Sequence, residues 1–538
     1  MTHADGLLQS RAGTPWWRHA IIYQVYPRSF QDSDGDGLGD LKGIATRLDH
    51  LVGLGVDAVW LSPVYPSPMA DFGYDVSDYC GIDPQFGSLA DFDALTRAIH
   101  ARGLKLILDF VPNHSSDQHP WFLESRSSRS NPKRDWYIWR DPAPDGGPPN
   151  NWLSHFGGGA WEWDAHTGQY YLHSFLVAQP DLNWRNPDVR SAMYAVLQFW
   201  LERGVDGFRV DVLWLLMKDE QFRDNPPNPA WRAGQTTRDK LLSVYDSDHP
   251  ETQDIIQEMR AILDSFAGDR LLIGEIYLPV DRLVAYYGRD LKGVQMPFNF
   301  QLINAAWNAE GLGTIIRDYE AALPSGAWPN WVLSNHDQSR IGSRIGAAQA
   351  RVAATLLLTL RGTPTIYYGE EIGMVDVPIP PDRVQDPAEK NQPGLGLGRD
   401  PERTPMPWDP STHGGFTTGT PWLPLGADHA TVNATTLDRD PGSILTLYKR
   451  LIALRRSHPA LVDGTIGAVE AQGAVLTYER RHDDERVAVL LNLGHNAQQV
   501  AIGTGAILLS THLDRADEQV EGEVTLHPDE GLLIRLLR

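Results

Sequence analysis

Gly204-Val-Asp-Gly-Phe-Arg-Val-Asp211 is the stretch on which the fold turns. A glycine closes a helix-like segment, a short apolar run follows, and the run ends on charged side chains. Glycine just past a helix takes the left-handed conformation, and a buried parallel strand begins directly after it. The same phrase stands at Gly55 before residues 56–61, at Gly103 before 104–110 and at Gly362 before 364–368. Three further apolar runs, 21–26, 271–277 and 331–334, read as buried strands, and 293–296 is a weaker eighth. Eight strands alternating with helices predict an α/β fold, a (β/α)8 TIM barrel, although a doubly wound open sheet gives the same local pattern.

Two segments break the rhythm. Residues 115–186, rich in Pro, Gly, Trp and Asn, are far too long for an ordinary strand–helix connection and predict a subdomain inserted after strand 3. Residues 378–424 predict a long ordered loop after strand 8. Past a helix at about 443–457, short alternating runs predict an antiparallel β-sandwich domain over 461–538, leaving 1–114 and 187–460 to the barrel.

Composition bounds the partners. Of 538 residues, 69 are acidic and 47 basic, a net charge of −22, which disfavours nucleic acid and anionic membranes and favours a neutral or cationic partner. The lone Cys80 excludes an intrachain disulfide and fits a reducing compartment. Residues 1–15 lack the apolar core of a secretory leader, and no run has the ~18 apolar residues of a membrane helix. A soluble, cytoplasmic protein is expected, with monomer or homo-oligomer left open.

The chemistry lies at the strand ends. Strand 3 ends Asp109-Phe-Val-Pro-Asn113-His114, strand 4 ends Arg209-Val-Asp211, strand 5 ends Gly274-Glu275, and strand 7 ends Asn335-His336-Asp337. In a barrel all strand C-termini meet on one face, where active sites are built. Arg209, two residues before Asp211, points to the same side of its strand and is expected to hold Asp211 ionised, while Glu275 is expected to have a raised pKa. Taken singly, each is equally a structural ion pair or a core histidine. Four charged strand ends in chain order are not.

With these regions quoted, the chain resembles the α-amylase superfamily, glycoside hydrolase family 13, from Tyr23-Gln-Val-Tyr-Pro-Arg-Ser-Phe30 through the C-terminal β domain. Gln179-Pro-Asp-Leu-Asn-Trp184 narrows the resemblance to the oligo-1,6-glucosidase and α-glucosidase branch. It implies an exo-acting retaining α-glucosidase acting on small neutral α-glucosides, with Asp211 as nucleophile, Glu275 as acid and base, and Asp337 as transition-state stabiliser. It further implies that Tyr74, His114 and His336 contact the sugar, that Asp71 pairs with Arg403 to grip the 4-hydroxyl of a terminal glucose, and that Phe156 and Phe175 wall the pocket. Val212, after the nucleophile, accompanies α-1,6 activity in this branch. Residues 224–229 resemble a loop that narrows the acceptor side. Pro407 replaces the family's usual Gln.

Asp32-Ser-Asp34-Gly-Asp36-Gly-Leu38-Gly-Asp40 carries oxygen donors at alternating positions with glycines between, a hard-cation pattern. Position twelve is Gly43 rather than Glu, so it is no EF-hand. The resemblance implies a structural Ca²⁺ or Mg²⁺ held by Asp32, Asp34, Asp36, the Leu38 carbonyl and Asp40, and no organic cofactor. Two other readings share the fold: a transglucosidase or sucrose isomerase, which changes only the acceptor, and a non-catalytic partner like the transporter heavy chains, which requires a membrane anchor.

Overall fold

Eight parallel strands, β1 (Ile22–Val25), β2 (Ala58–Leu61), β3 (Lys105–Phe110), β4 (Gly207–Val210), β5 (Leu271–Gly274), β6 (Met296–Pro297), β7 (Asn330–Val332) and β8 (Thr363–Tyr367), form one sheet in the order β7-β8-β1-β2-β3-β4-β5-β6. The computed structural model describes residues 13–537, so most of the 1–15 stretch lies outside the described residues. Helices alternate with the strands, and the open-sheet alternative is set aside. Gly55 and Gly204, at φ +97° and +96°, take the left-handed conformation that the helix ends require.

The sixth strand is two residues long and lies at the end of the expected run. Its Pro297 has no N–H to give to a ladder, and among the described residues no ladder joins β6 to β7. The Asn330 side chain closes the seam instead: its amide donates to the Pro297 carbonyl at 2.8 Å, and its oxygen accepts the Asn299 N–H at 2.9 Å.

Side chains alternate across each strand. One face of the sheet packs on the helices; the other fills the barrel with Ile22, Ala58, Trp60, Ile107, Leu271, Ile273, Met296 and Val332. Towards the strand C-termini this apolar plug gives way to Asp109 and Arg209, which are paired in register across β3 and β4. The polar site is thus the top layer of the barrel interior.

Between β3 and the helix Pro187–Glu202 lies a three-stranded antiparallel sheet of Trp139–Arg140, Gln169–Leu172 and Trp161–Asp164. After the helix Ile444–Ser457 the chain builds two antiparallel sheets around Val475, Leu490, Ile507, Leu526 and Ile534. This β domain is fixed to the barrel through Arg480, which donates to the Thr359 carbonyl at 2.6 Å. No described helix is long and apolar enough to cross a membrane.

Asn330→Ala would leave two buried backbone groups at the seam without partners, each worth roughly 1–3 kcal/mol. Thermal unfolding should show a melting temperature lower by several degrees; an unchanged one would mean that the seam is held by something else.

Candidate active site

Arg209, wholly buried, organises the barrel mouth. Its Nη1 donates to Asp109 Oδ1 at 2.7 Å and to Asp211 Oδ1 at 2.8 Å, and its Nη2 lies 2.7 Å from Glu275 Oε2. The strand register produces this: Asp211 N–H bonds the Phe110 carbonyl and Glu275 N–H bonds the Val210 carbonyl, so each carboxylate leaves its strand one step beyond the last rung. Val212 follows in the left-handed region (φ 38°, ψ 45°), which a β-branched residue adopts only under strain. The turn aims the Val212 N–H at Glu275 Oε2, 2.8 Å away. Glu275 and Asp211 thus meet on the one guanidinium of Arg209.

The expected protonation pattern changes here. Burial pushes the Asp211 pKa well above the usual range, with repulsion from Glu275 adding to it, and Arg209 does not reverse this because its charge is divided among three carboxylates. Burial also raises Glu275, against the pull of Arg209, and raises Asp109 to about 7. Asp211 and Glu275 therefore titrate as a pair, both raised, rather than as independent acids. Asp337 is the opposite case. Burial would raise it, but His336 at 3.2 Å and the guanidiniums of Arg399 at 3.1 Å and Arg403 at 2.7 Å hold it well below the carboxylate range. Burial holds the His336 pKa well below its ordinary value.

Tyr74 lines the cavity, its hydroxyl 3.1 Å from Asp109 Oδ2 and 2.6 Å from His336 Nε2. His336 was expected to donate to a sugar. It is stacked on Tyr74 (ring centroids 5.4 Å, 5°), with Gln24 donating to its Nδ1 at 2.8 Å, so Nε2 carries the proton, beside the Tyr74 hydroxyl and 3.2 Å from Asp337 Oδ2. Arg209 lies beneath the cavity and acts through the carboxylates.

The cavity encloses about 420 Å³ and is lined by Asp71, Tyr74, His114, Phe156, Phe175, Asp211, Val212, Glu275 and Asp337 together with residues the sequence reading missed. The arginine facing Asp71 is Arg399, at 2.7 Å, not Arg403. Arg403 is wholly buried behind it, donating to the His336 carbonyl at 2.6 Å and to Asp337. The four-residue offset follows from the turn at Pro401–Arg403, which carries Arg403 under the loop while Arg399 reaches over it. Phe156 and Phe175 pack at 5.6 Å, with Arg399 over Phe156 and the unforeseen His155 stacked on Phe175. Trp214, Tyr277, Asp239 and Gln338 complete the lining. Three segments meet above: Gln392 Oε1 accepts the Thr237 N–H and hydroxyl at 3.3 and 3.1 Å, and its side chain packs so tightly on Gly157 that a Cβ there would meet Gln392 Cγ at 2.8 Å.

In the acidic loop Asp32, Asp34 and Asp36 bring carboxylate oxygens within 4.8 Å of one another. Asp40 does not join them. Its carboxylate caps the helix Leu41–Thr46, accepting the Gly43 N–H at 2.8 Å and the Ser33 N–H at 2.7 Å. Burial and repulsion from Asp34, Asp32 and Asp40 raise Asp36, a strain that a cation would relieve. The loop also braces the segment carrying Arg399 and Arg403: the Asp32 N–H donates to the Phe416 carbonyl, and Asp32 Oδ2 accepts from the Thr417 hydroxyl.

Residues 24–464 match the family described as α-amylase, catalytic domain. The chain is 45% identical over 498 residues to a probable α-glucosidase of Rhizobium meliloti, covering 90% of each. It is 38% identical to an oligo-1,6-glucosidase of Parageobacillus thermoglucosidasius, covering 97% of this chain and 99% of the relative. Among solved structures it is similar to the α-glucosyl transfer enzyme XgtA (TM-score 0.92, 41% identity, 97% and 100% coverage) and to the trehalulose synthase MutB of Pseudomonas mesoacidophila (TM-score 0.89, 36% identity, 97% and 100% coverage).

Arg399→Met should cut kcat/KM by roughly 100-fold, the scale of a lost buried charge-assisted contact. Asp71, raised by burial to about 6, then loses the guanidinium that favours its carboxylate, so the acid limb of kcat/KM moves to higher pH. Arg403→Met removes one of the two guanidiniums on Asp337, so it should lower both the melting temperature and kcat; a rise in KM as large as that of Arg399→Met would return Arg403 to the pocket.

Proposed function

This chain belongs to the α-amylase family and is a glycoside hydrolase, and on that premise we propose that it releases the terminal non-reducing glucose of short α-glucosides with retention of configuration. The observation that supports this reading is the close pair Asp211 and Glu275 facing a cavity whose far end is closed by Asp71 and Arg399. Two carboxylates at the ends of adjacent strands that share one guanidinium suit the short separation on which retention depends.

Asp211, ionised while Glu275 holds a proton, attacks the anomeric carbon as the leaving oxygen takes that proton. A covalent β-glucosyl ester forms. Glu275, now a carboxylate, takes a proton from water, whose oxygen displaces Asp211 and restores the starting state. Asp337, held ionised by two arginines, binds sugar hydroxyls and favours the distorted ring. Tyr74 offers its face to the ring's C–H side. Asp71 and Arg399 take the 4-hydroxyl. Val212 lines the acceptor side and favours an α-1,6 preference.

A second reading, transfer to a sugar or alcohol in place of water, draws support from the similarity to XgtA and MutB. The single Cys80, its thiol pushed up to about 11 by burial, suits a cytoplasmic enzyme. The donor set of the acidic loop fits a hard cation, and Asp32, Asp34, Asp36 and the Leu38 carbonyl would hold Ca²⁺ or Mg²⁺ in a structural role.

Incubation with maltose, isomaltose, sucrose and trehalose should yield free glucose, first as the α-anomer, and Asp211→Asn should lose at least ~10³-fold in kcat. Unchanged turnover in Asp211→Asn would remove the assignment, and transfer products in large excess over glucose would favour the second reading. Chelation should lower the melting temperature by a few degrees, restored by Ca²⁺ or Mg²⁺ in the wild type but not in Asp34→Asn. No response to either ion would remove the cation.

A further inference from the structure

Gln179 is wholly buried and takes no part in the chemistry just described, yet its side chain ends at the sugar-gripping acid. Its orientation is fixed. The tight turn Leu176–Gln179 makes reciprocal bonds, from the Gln179 N–H to the Leu176 carbonyl at 2.8 Å and from the Leu176 N–H to Gln179 Oε1 at 3.0 Å. With the oxygen so engaged, the amide nitrogen must point the other way. It lies 3.1 Å from Asp71 Oδ2 and 3.1 Å from His114 Nε2, two side chains of the cavity wall.

We infer that Gln179 is a positioning residue that sets the rotation of the Asp71 carboxylate, and through it the affinity for the terminal glucose. This rests on the α-glucosidase reading. Asp71 Oδ1 is held from above by Arg399 at 2.7 Å, and Oδ2 from below by Gln179. These two donors lie on separate segments, the loop after β8 and the inserted subdomain. A carboxylate gripped only by Arg399 would turn towards the guanidinium and form a closed ion pair, satisfied without the sugar. The amide donor opposes that rotation and leaves each oxygen with a lone pair for vicinal hydroxyls. Because the amide is anchored by its own backbone turn, it is preorganised and needs no ordering when substrate binds.

The charges facing Asp71 give the pH signature. Burial raises it, Arg399 and Arg403 oppose this, and Asp386 adds to it. Gln179 donates a hydrogen bond to the carboxylate, so removing that donor favours the protonated form and moves the acid limb of kcat/KM upward.

The test uses Gln179→Met, which keeps the volume without the donor, and Gln179→Glu, which keeps the shape and places a second carboxyl beside Asp71. On the best substrate of the wild type, both should raise KM about tenfold, leave kcat within about threefold and shift the acid limb upward by about 0.5 unit or more. In an Asp71→Asn background, Gln179→Met should change kcat/KM less than twofold. Equal effects in the two backgrounds with an unmoved pH limb would make Gln179 merely structural and overturn the inference. Should Gln179→Met not fold, Gln179→Glu decides by the same limb. A wild type that hydrolyses none of the four sugars would instead sink the parent reading.

Discussion

One guanidinium bears on three carboxylates at the mouth of the barrel, and the rest of the site follows from that imbalance. Arg209 is reached by Asp109 from β3, Asp211 beyond β4 and Glu275 beyond β5, so adjacent strands are tied at their reactive ends. A buried network of this kind stabilises little by itself, since desolvation offsets most of the attraction. What it provides is charge control. With one positive charge among three acids, burial keeps their pKa values raised, and an acid–base reaction on a glycoside needs a carboxyl that can hold a proton. Asp337 escapes the imbalance only because Arg399 and Arg403 arrive from a different segment.

The site also stores strain. Val212 holds a left-handed backbone that a β-branched residue resists, and its N–H is what keeps Glu275 in place. Such a conformation persists only where its surroundings over-determine it. Here the barrel does so from both sides, with Asp211 N–H on the Phe110 carbonyl and the following turn buried among Leu213, Trp214 and Leu215.

Much of this was legible in the sequence because backbone punctuation is local. A glycine ending a helix and an apolar run ending on a charged side chain are visible without knowing what lies opposite, and they locate the strands and the reactive acids. What escaped depends on partners distant in the chain. Nothing near Asn330 says that its amide bridges to Pro297. Arg399 and Arg403 stand four residues apart, and only the path of the loop decides which faces Asp71. That Asp211 is raised rather than lowered depends on counting the carboxylates around Arg209. Asp40 sits in a run of alternating acids, but the start of the next helix claims it as a cap.

The meeting of Gly157, Thr237 and Gln392 above the cavity has a consequence for how this molecule is assembled. These residues belong to three connections, none of which contributes to the barrel ladder, and their encounter depends on the closure of long loops rather than on the strands. Recovery of helix signal on refolding therefore reports the scaffold, while recovery of turnover reports the docking of surface segments. A preparation can show full far-ultraviolet ellipticity and still consist in part of molecules whose roof has not closed, so specific activity is the stricter measure of native protein.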